Sequence, residues 1–214
     1  MNQENLYLSL RVEKAEFFLD HEDPDGFLHP IQGEILGYDE ADRQRKLGRF
    51  RVFQVDLDGG LEAGFGPLDV LDGRQETSVF IPLFSARGAG FSTTVMRLCH
   101  NDLLYQNLLV IDRVEILPRY RGQGLGAQVV KGLIWKFRQG AGLAVLKAFP
   151  LQFEYLHEHP GAKVEQWRRK MGLDGLPKDE AKATRSLKAF YASLGFMALP
   201  RTSLMIANLA WKLP

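Results

Sequence analysis

The chain has a single cysteine, Cys99, among its 214 residues. One thiol cannot build an internal disulfide framework, and a reducing cytoplasm is the expected compartment. Net charge is nearly absent: 27 Lys and Arg stand against 26 Asp and Glu, leaving +1. Nothing in that balance draws the chain to nucleic acid or to a membrane surface. No apolar run approaches the ~20 residues needed to cross a bilayer. Met1-Asn2-Gln3-Glu4-Asn5 lacks the basic and apolar regions of a secretory leader. Internal repeats and low-complexity stretches are missing too. What is present is ordinary for a globular protein: 45% hydrophobic and 25% charged residues, enough for one domain over 1–214 with a full core.

Periodicity and turn signals give a coarse order of elements. Residues 6–12 alternate as a strand. Residues 17–49 read as irregular, with Asp23-Pro24-Asp25-Gly26 a turn and 38–47 a short polar helix. Residues 49–57 read as a strand with one irregularity, because Phe50 and Val52 are followed by Phe53, Val55 and Leu57 out of step. A helix is expected over 68–84 and a long central strand over 103–117. Leu125, Val129, Leu133 and Phe137 recur every four residues, which predicts a helix over 125–138. A buried strand over 143–149 follows. A short helix over 163–171 lies within an insertion, 152–177. A helix over 179–194 and a last strand over 204–211 close an α+β fold with a mixed sheet.

The segment Arg121-Gly122-Gln123-Gly124-Leu125-Gly126 sits between the central strand and the amphipathic helix. Glycines let a backbone approach an anion closely, and the first N–H groups of a helix then point at it. A P-loop is excluded, because Gly126 is followed by Ala127 and Gln128 rather than Lys and a hydroxyl residue. Gly122, Gly124 and Ala127 satisfy the dinucleotide pattern G-x-G-x-x-A. The acid expected about twenty residues on is missing, however, as are repeated βαβ units. A nicotinamide oxidoreductase is therefore the weakest of the readings weighed.

A third pattern fits better. Arg121-x-x-Gly124-x-Gly126 resembles the [QR]-x-x-G-x-[GA] signature of the GNAT superfamily of N-acetyltransferases. Ala189-Phe190-Tyr191-Ala192-Ser193-Leu194-Gly195-Phe196 is similar to that family's F-Y-x-x-x-G-F segment. The resemblance covers 103–211; residues 1–100 match no pattern. It implies a mixed, mostly antiparallel central sheet flanked by helices. That sheet would splay between the strands ending near Pro118 and Pro150, with acetyl-CoA in the opening. Arg121, Gly122, Gln123, Gly124, Leu125 and Gly126 would hold the pyrophosphate. Backbone amides of Val114, Glu115, Ile116 and Leu117 would meet the thioester oxygen, and Tyr191 would protonate the departing thiolate.

The base is open. Asp112 and Glu115 lie on the central strand and should face opposite ways unless a bulge intervenes; a neutral amine or a water relay is the alternative. No metal is expected. His157-x-His159 lacks further ligands at a usual spacing, Asp23 to Gly26 lacks the later glutamate of a calcium loop, and Trp167-Arg168-Arg169-Lys170 reads as a solvated helix face. The expected function is transfer of an acetyl group from acetyl-CoA to an unidentified amine. The runner-up is a non-catalytic acyl-CoA-binding regulator, which would not need Tyr191. A homodimer is left open.

Overall fold

The first half of the chain is a strand meander. β1 (Tyr7–Ala15), β2 (Leu28–Tyr38) and β3 (Gln44–Val55) pair antiparallel in sequence order. This overturns the irregular reading over 28–49 and the helix over 38–47; the turn expected at Asp23 to Gly26 is present, as a 3₁₀ turn over Pro24–Phe27 capped by Asp23. Pro30, Gly33 and Gly37 hide β2 from any propensity count. Gly33 is required there, because an added Cβ would stand 2.0 Å from the carbonyl oxygen of Arg11. The β2–β3 turn is closed by Asp39. Its carboxylate accepts from the N–H groups of Ala41 and Arg43, both at 3.0 Å, and pairs with Arg43 at 2.9 Å. The computed structural model describes residues 6–19, 21–88, 90–103, 105–154 and 161–211.

Short helices follow: α1 (Leu57–Glu62), α2 (Pro67–Asp72), α3 (Gln75–Ser78) and α4 (Thr93–Leu98). The single helix expected over 68–84 is broken at Gly73 and again at Pro82, which starts a 3₁₀ turn over Ile81–Leu83. The central strand β4 (Leu108–Ile116) is shorter than expected and leads into α5 (Leu125–Phe137), β5 (Leu143–Lys147) and α6 (Ala162–Met171). Then come α7 (Glu180–Ala192), a two-residue strand β6 (Met197–Ala198) that periodicity misses, and β7 (Leu204–Asn208).

The seven strands of the described residues join one sheet in the order β1-β2-β3-β4-β5-β7-β6. Each neighbouring pair is antiparallel except β4–β5. One face packs on α5 through Ile31, Ile35, Phe50, Val52, Leu109 and Ile111. The other packs on α1, α2 and α4 through Phe53, Val55, Leu108, Val110 and Val145. β3 is thus buried on both faces, which explains the apparent irregularity at Val52-Phe53. On α5, Leu125, Val129, Val130, Leu133, Ile134 and Phe137 are buried. At ~1.5–3 kcal/mol for each side chain, that stripe fixes the helix, and with it the glycine turn, to the sheet.

Two irregularities make room for a site. β4 and β5 pair only through Leu108↔Leu143, Leu109↔Ala144 and Val110↔Val145, and part beyond them. On the other side of β4 the register with β3 steps from Val52↔Ile111 to Arg51↔Arg113, leaving Asp112 as a bulge. A bulge bends its strand and raises the local twist, and this one lies where β4 leaves β5.

Candidate active site in the parted sheet

A cleft of about 480 Å³ fills the opening between β4 and β5. Ile111, Asp112, Val114 and Ile116 line it from β4, Gly126 from α5, and Tyr191 from α7. Segments distant in sequence therefore converge on one space.

The head of the cleft is the glycine turn. Gly122 (φ 72) and Gly124 (φ 76) take left-handed backbone conformations, which let the chain reverse from β4 into α5. The Arg121 N–H still bonds to Pro118 O, and the next backbone donors with protein partners are Ala127 and Gln128, both to Gly124 O. The intervening amides, 122–126, have no partner among the described residues and stand at the positive end of a thirteen-residue helix. Leu125 contributes only its amide here, since its side chain lies in the core.

The amides of β4 divide by ladder geometry. Leu117 N–H donates to Leu47 O at 2.8 Å and is occupied. Bonding alternates along an antiparallel pair, and Val114 and Ile116 stand opposite Phe50 and Gly48. Their N–H groups therefore point away from β3, towards the gap left by β5.

Arg121 does not turn its charge to the glycine turn. Its Nε donates to Ile116 O at 2.7 Å and a terminal nitrogen donates to Met171 O at 2.6 Å. It ties the end of β4 to the end of α6. Arg121→Ala should remove both charged hydrogen bonds and cost about 1.5–3 kcal/mol in a urea titration; an unchanged midpoint would show the tie to be idle. Gln123 likewise turns back, donating to Arg119 O at 2.9 Å, and Arg119 lies 4.7 Å over the Tyr120 ring.

The bulge settles the facing of the two acids. Leu109 and Ile111 pack on the α5 side, and so do Val114 and Ile116. The alternation shifts by one across Asp112, so Arg113 and Glu115 both face away from α5. Asp112 accepts from Arg51 Nε at 2.6 Å, and Arg51 also pairs with Glu76 at 3.0 Å. Glu115 is buried, accepts from Trp167 Nε1 at 2.7 Å, and does not line the first cleft. Trp167 is accordingly no solvated helix position; with Met171 and Leu173 it forms a small core of its own.

Tyr191 packs edge-on to Phe190 and Phe196, with ring centroids at 5.1 and 5.8 Å. Its hydroxyl makes no hydrogen bond to the described residues. Burial pushes the phenol up to about 12, so it remains a proton donor throughout the neutral range.

Sequence reasoning missed Arg51, Arg113 and Glu154. Burial opposes charge on Glu154, but its double hydrogen bond to Arg113 and the charges of Arg113, Arg168 and Arg51 hold it below the usual carboxylate range. Arg51 carried a weak signal, a charge between the buried Phe50 and Val52. Glu154 carried none. His157 and His159 lie outside the described residues. Among the described residues no group of three or more His, Cys, Asp or Glu is placed to hold a metal ion, and no helix is long and apolar enough to cross a membrane.

Comparison with protein-family models, with curated proteins and with solved structures found no match for this chain.

Proposed function

We propose that the protein is an acetyl-CoA-dependent N-acetyltransferase of the GNAT type. The observation that carries the reading is the parting of β4 from β5, with backbone donors at its head and a tyrosine hydroxyl in its wall that have no partner among the described residues. The amides of 122–126 suit a pyrophosphate. The N–H groups of Val114 and Ile116 suit a thioester oxygen that gains charge during reaction. Lys147 and Lys182 add cations to the wall.

Acetyl-CoA supplies the activated acyl group: the C–N bond to the acceptor forms as the C–S bond breaks. Tyr191 gives its proton to the departing thiolate. Asp112, the one of the two acids that lines this cleft, takes a proton from the amine directly or through water. Glu115 holds Trp167 instead.

The test is calorimetry against matched nucleotides. Acetyl-CoA should bind more tightly than NAD or ATP, and at a hundredfold excess over its Kd should raise stability by about 2.7 kcal/mol. Tighter binding of NAD would overturn the reading. Release of free thiol with a panel of amines would separate an enzyme from a binding protein.

A further inference from the structure

A second cleft, of about 660 Å³, opens on the sheet face away from α5 and under α6. Arg113, Met171 and Leu173 line both clefts, so the two meet there. The register makes this face polar. Arg11, Glu34, Arg49 and Glu115 stand opposite one another across β1 to β4, and Gln32, Arg51 and Arg113 form the next row.

Most of these charges are matched within the protein. Glu34 pairs with Lys46 and, at 3.5 Å, with Arg11. Arg51 holds Asp112 and Glu76. Arg113 lies between Glu154 and Glu115, and Arg168 stands 3.6 Å from Glu154. Arg49 is different. Its guanidinium sits 3.9 Å over the Trp167 ring, and no described carboxylate comes within ion-pair distance of it. Of the acids in its own row, Glu34 is paired with Lys46 and Arg11 and feels the Arg49 charge only beyond ion-pair distance, and Glu115 is held by Trp167 and Arg113. Glu115 accepts from the indole N–H, which orients the ring under Arg49. A stacked guanidinium keeps its N–H edges free, and those edges match a carboxylate. Lys163 adds a second cation without an ion pair, while Glu13 is the carboxylate of this wall in the same condition.

On the acyltransferase reading above, we infer that this second cleft is the acceptor site and takes an amine that carries a carboxylate. Arg49, stacked on Trp167, holds the carboxylate, and the amine passes Arg113 to reach the first cleft.

The experiment is thiol release from acetyl-CoA with acceptor pairs in which one member has a carboxylate where the other has a methyl group: β-alanine against propylamine, and γ-aminobutyrate against butylamine. The carboxylate-richer member should show the higher kcat/KM in each pair, by roughly tenfold, through KM. Arg49→Met should bring that ratio towards one, and a ratio is unaffected by the fraction of protein that folds. Equal use of both members, preference for the neutral one, a ratio unmoved by Arg49→Met, or no turnover of any carboxylate-bearing amine overturns the inference. Acetyl-CoA binding, measured separately, shows whether the acyltransferase reading survives each of those results.

Discussion

Replacing Tyr191 by phenylalanine is expected to cut turnover by about 10²–10⁴-fold, the usual contribution of a positioned general acid. The ring stays, with its edge contacts to Phe190 and Phe196; only the proton donor goes. Because the hydroxyl has no protein partner, its loss orphans no other group, and melting temperature should hold or rise slightly. Acetyl-CoA affinity should change little, since the lost interaction strengthens mainly as the thiolate departs. Burial pushes this phenol up to about 12. Its protonated form therefore persists as pH climbs past ~10, where a solvated tyrosine ionises. The parent's rate should show no fall near that pH that the variant lacks. Steady-state kinetics of both proteins on one accepted amine decide the matter, with melting curves as control. Turnover within about twofold of the parent, well below a general acid's usual contribution, removes Tyr191 from the chemistry.

Legibility in the sequence followed the physics of each element. α5 was readable because its stripe is long and its period unbroken, and α7 because Asp179 caps it, accepting from Lys182 N–H at 2.8 Å. The glycine turn was readable because left-handed backbone demands glycine at 122 and 124. β2 was not, because Pro30, Gly33 and Gly37 read as turn residues, whereas Gly33 serves close strand approach. The bulge at Asp112 was invisible, since register belongs to two strands at once and no single strand's pattern carries it. The facing of Asp112 and Glu115 hung on that bulge. Trp167 looked solvated from its basic neighbours, yet its own position on α6 turns inward over Glu115. The meeting of the insertion with the sheet, through Arg113 and Glu154, is a tertiary contact between residues forty-one apart, and composition says nothing of it.

Replacing Gly124 by aspartate should weaken acetyl-CoA binding by about 10²-fold or more while the protein stays folded. Gly124 is the N-cap of α5, at φ 76 and ψ −7. An added Cβ there meets nothing within 4 Å, so the cost is conformational and on the order of 1–2 kcal/mol for a left-handed residue. Asparagine pays the same conformational cost at nearly the same volume and is the control for strain. Aspartate differs from it by a negative charge beside the open amides of 122–126. That charge is favoured by the helix end, so folding is spared. A pyrophosphate arriving at the same donors meets a like charge, a juxtaposition that costs several kcal/mol. Affinity should therefore fall about 10²-fold or more relative to Gly124→Asn. The deficit should shrink in high salt as the repulsion is screened. Calorimetry of the three proteins at two ionic strengths reads the result. If the aspartate and asparagine variants bind acetyl-CoA alike, no phosphate approaches Gly124, and the glycine turn serves only to join β4 to α5.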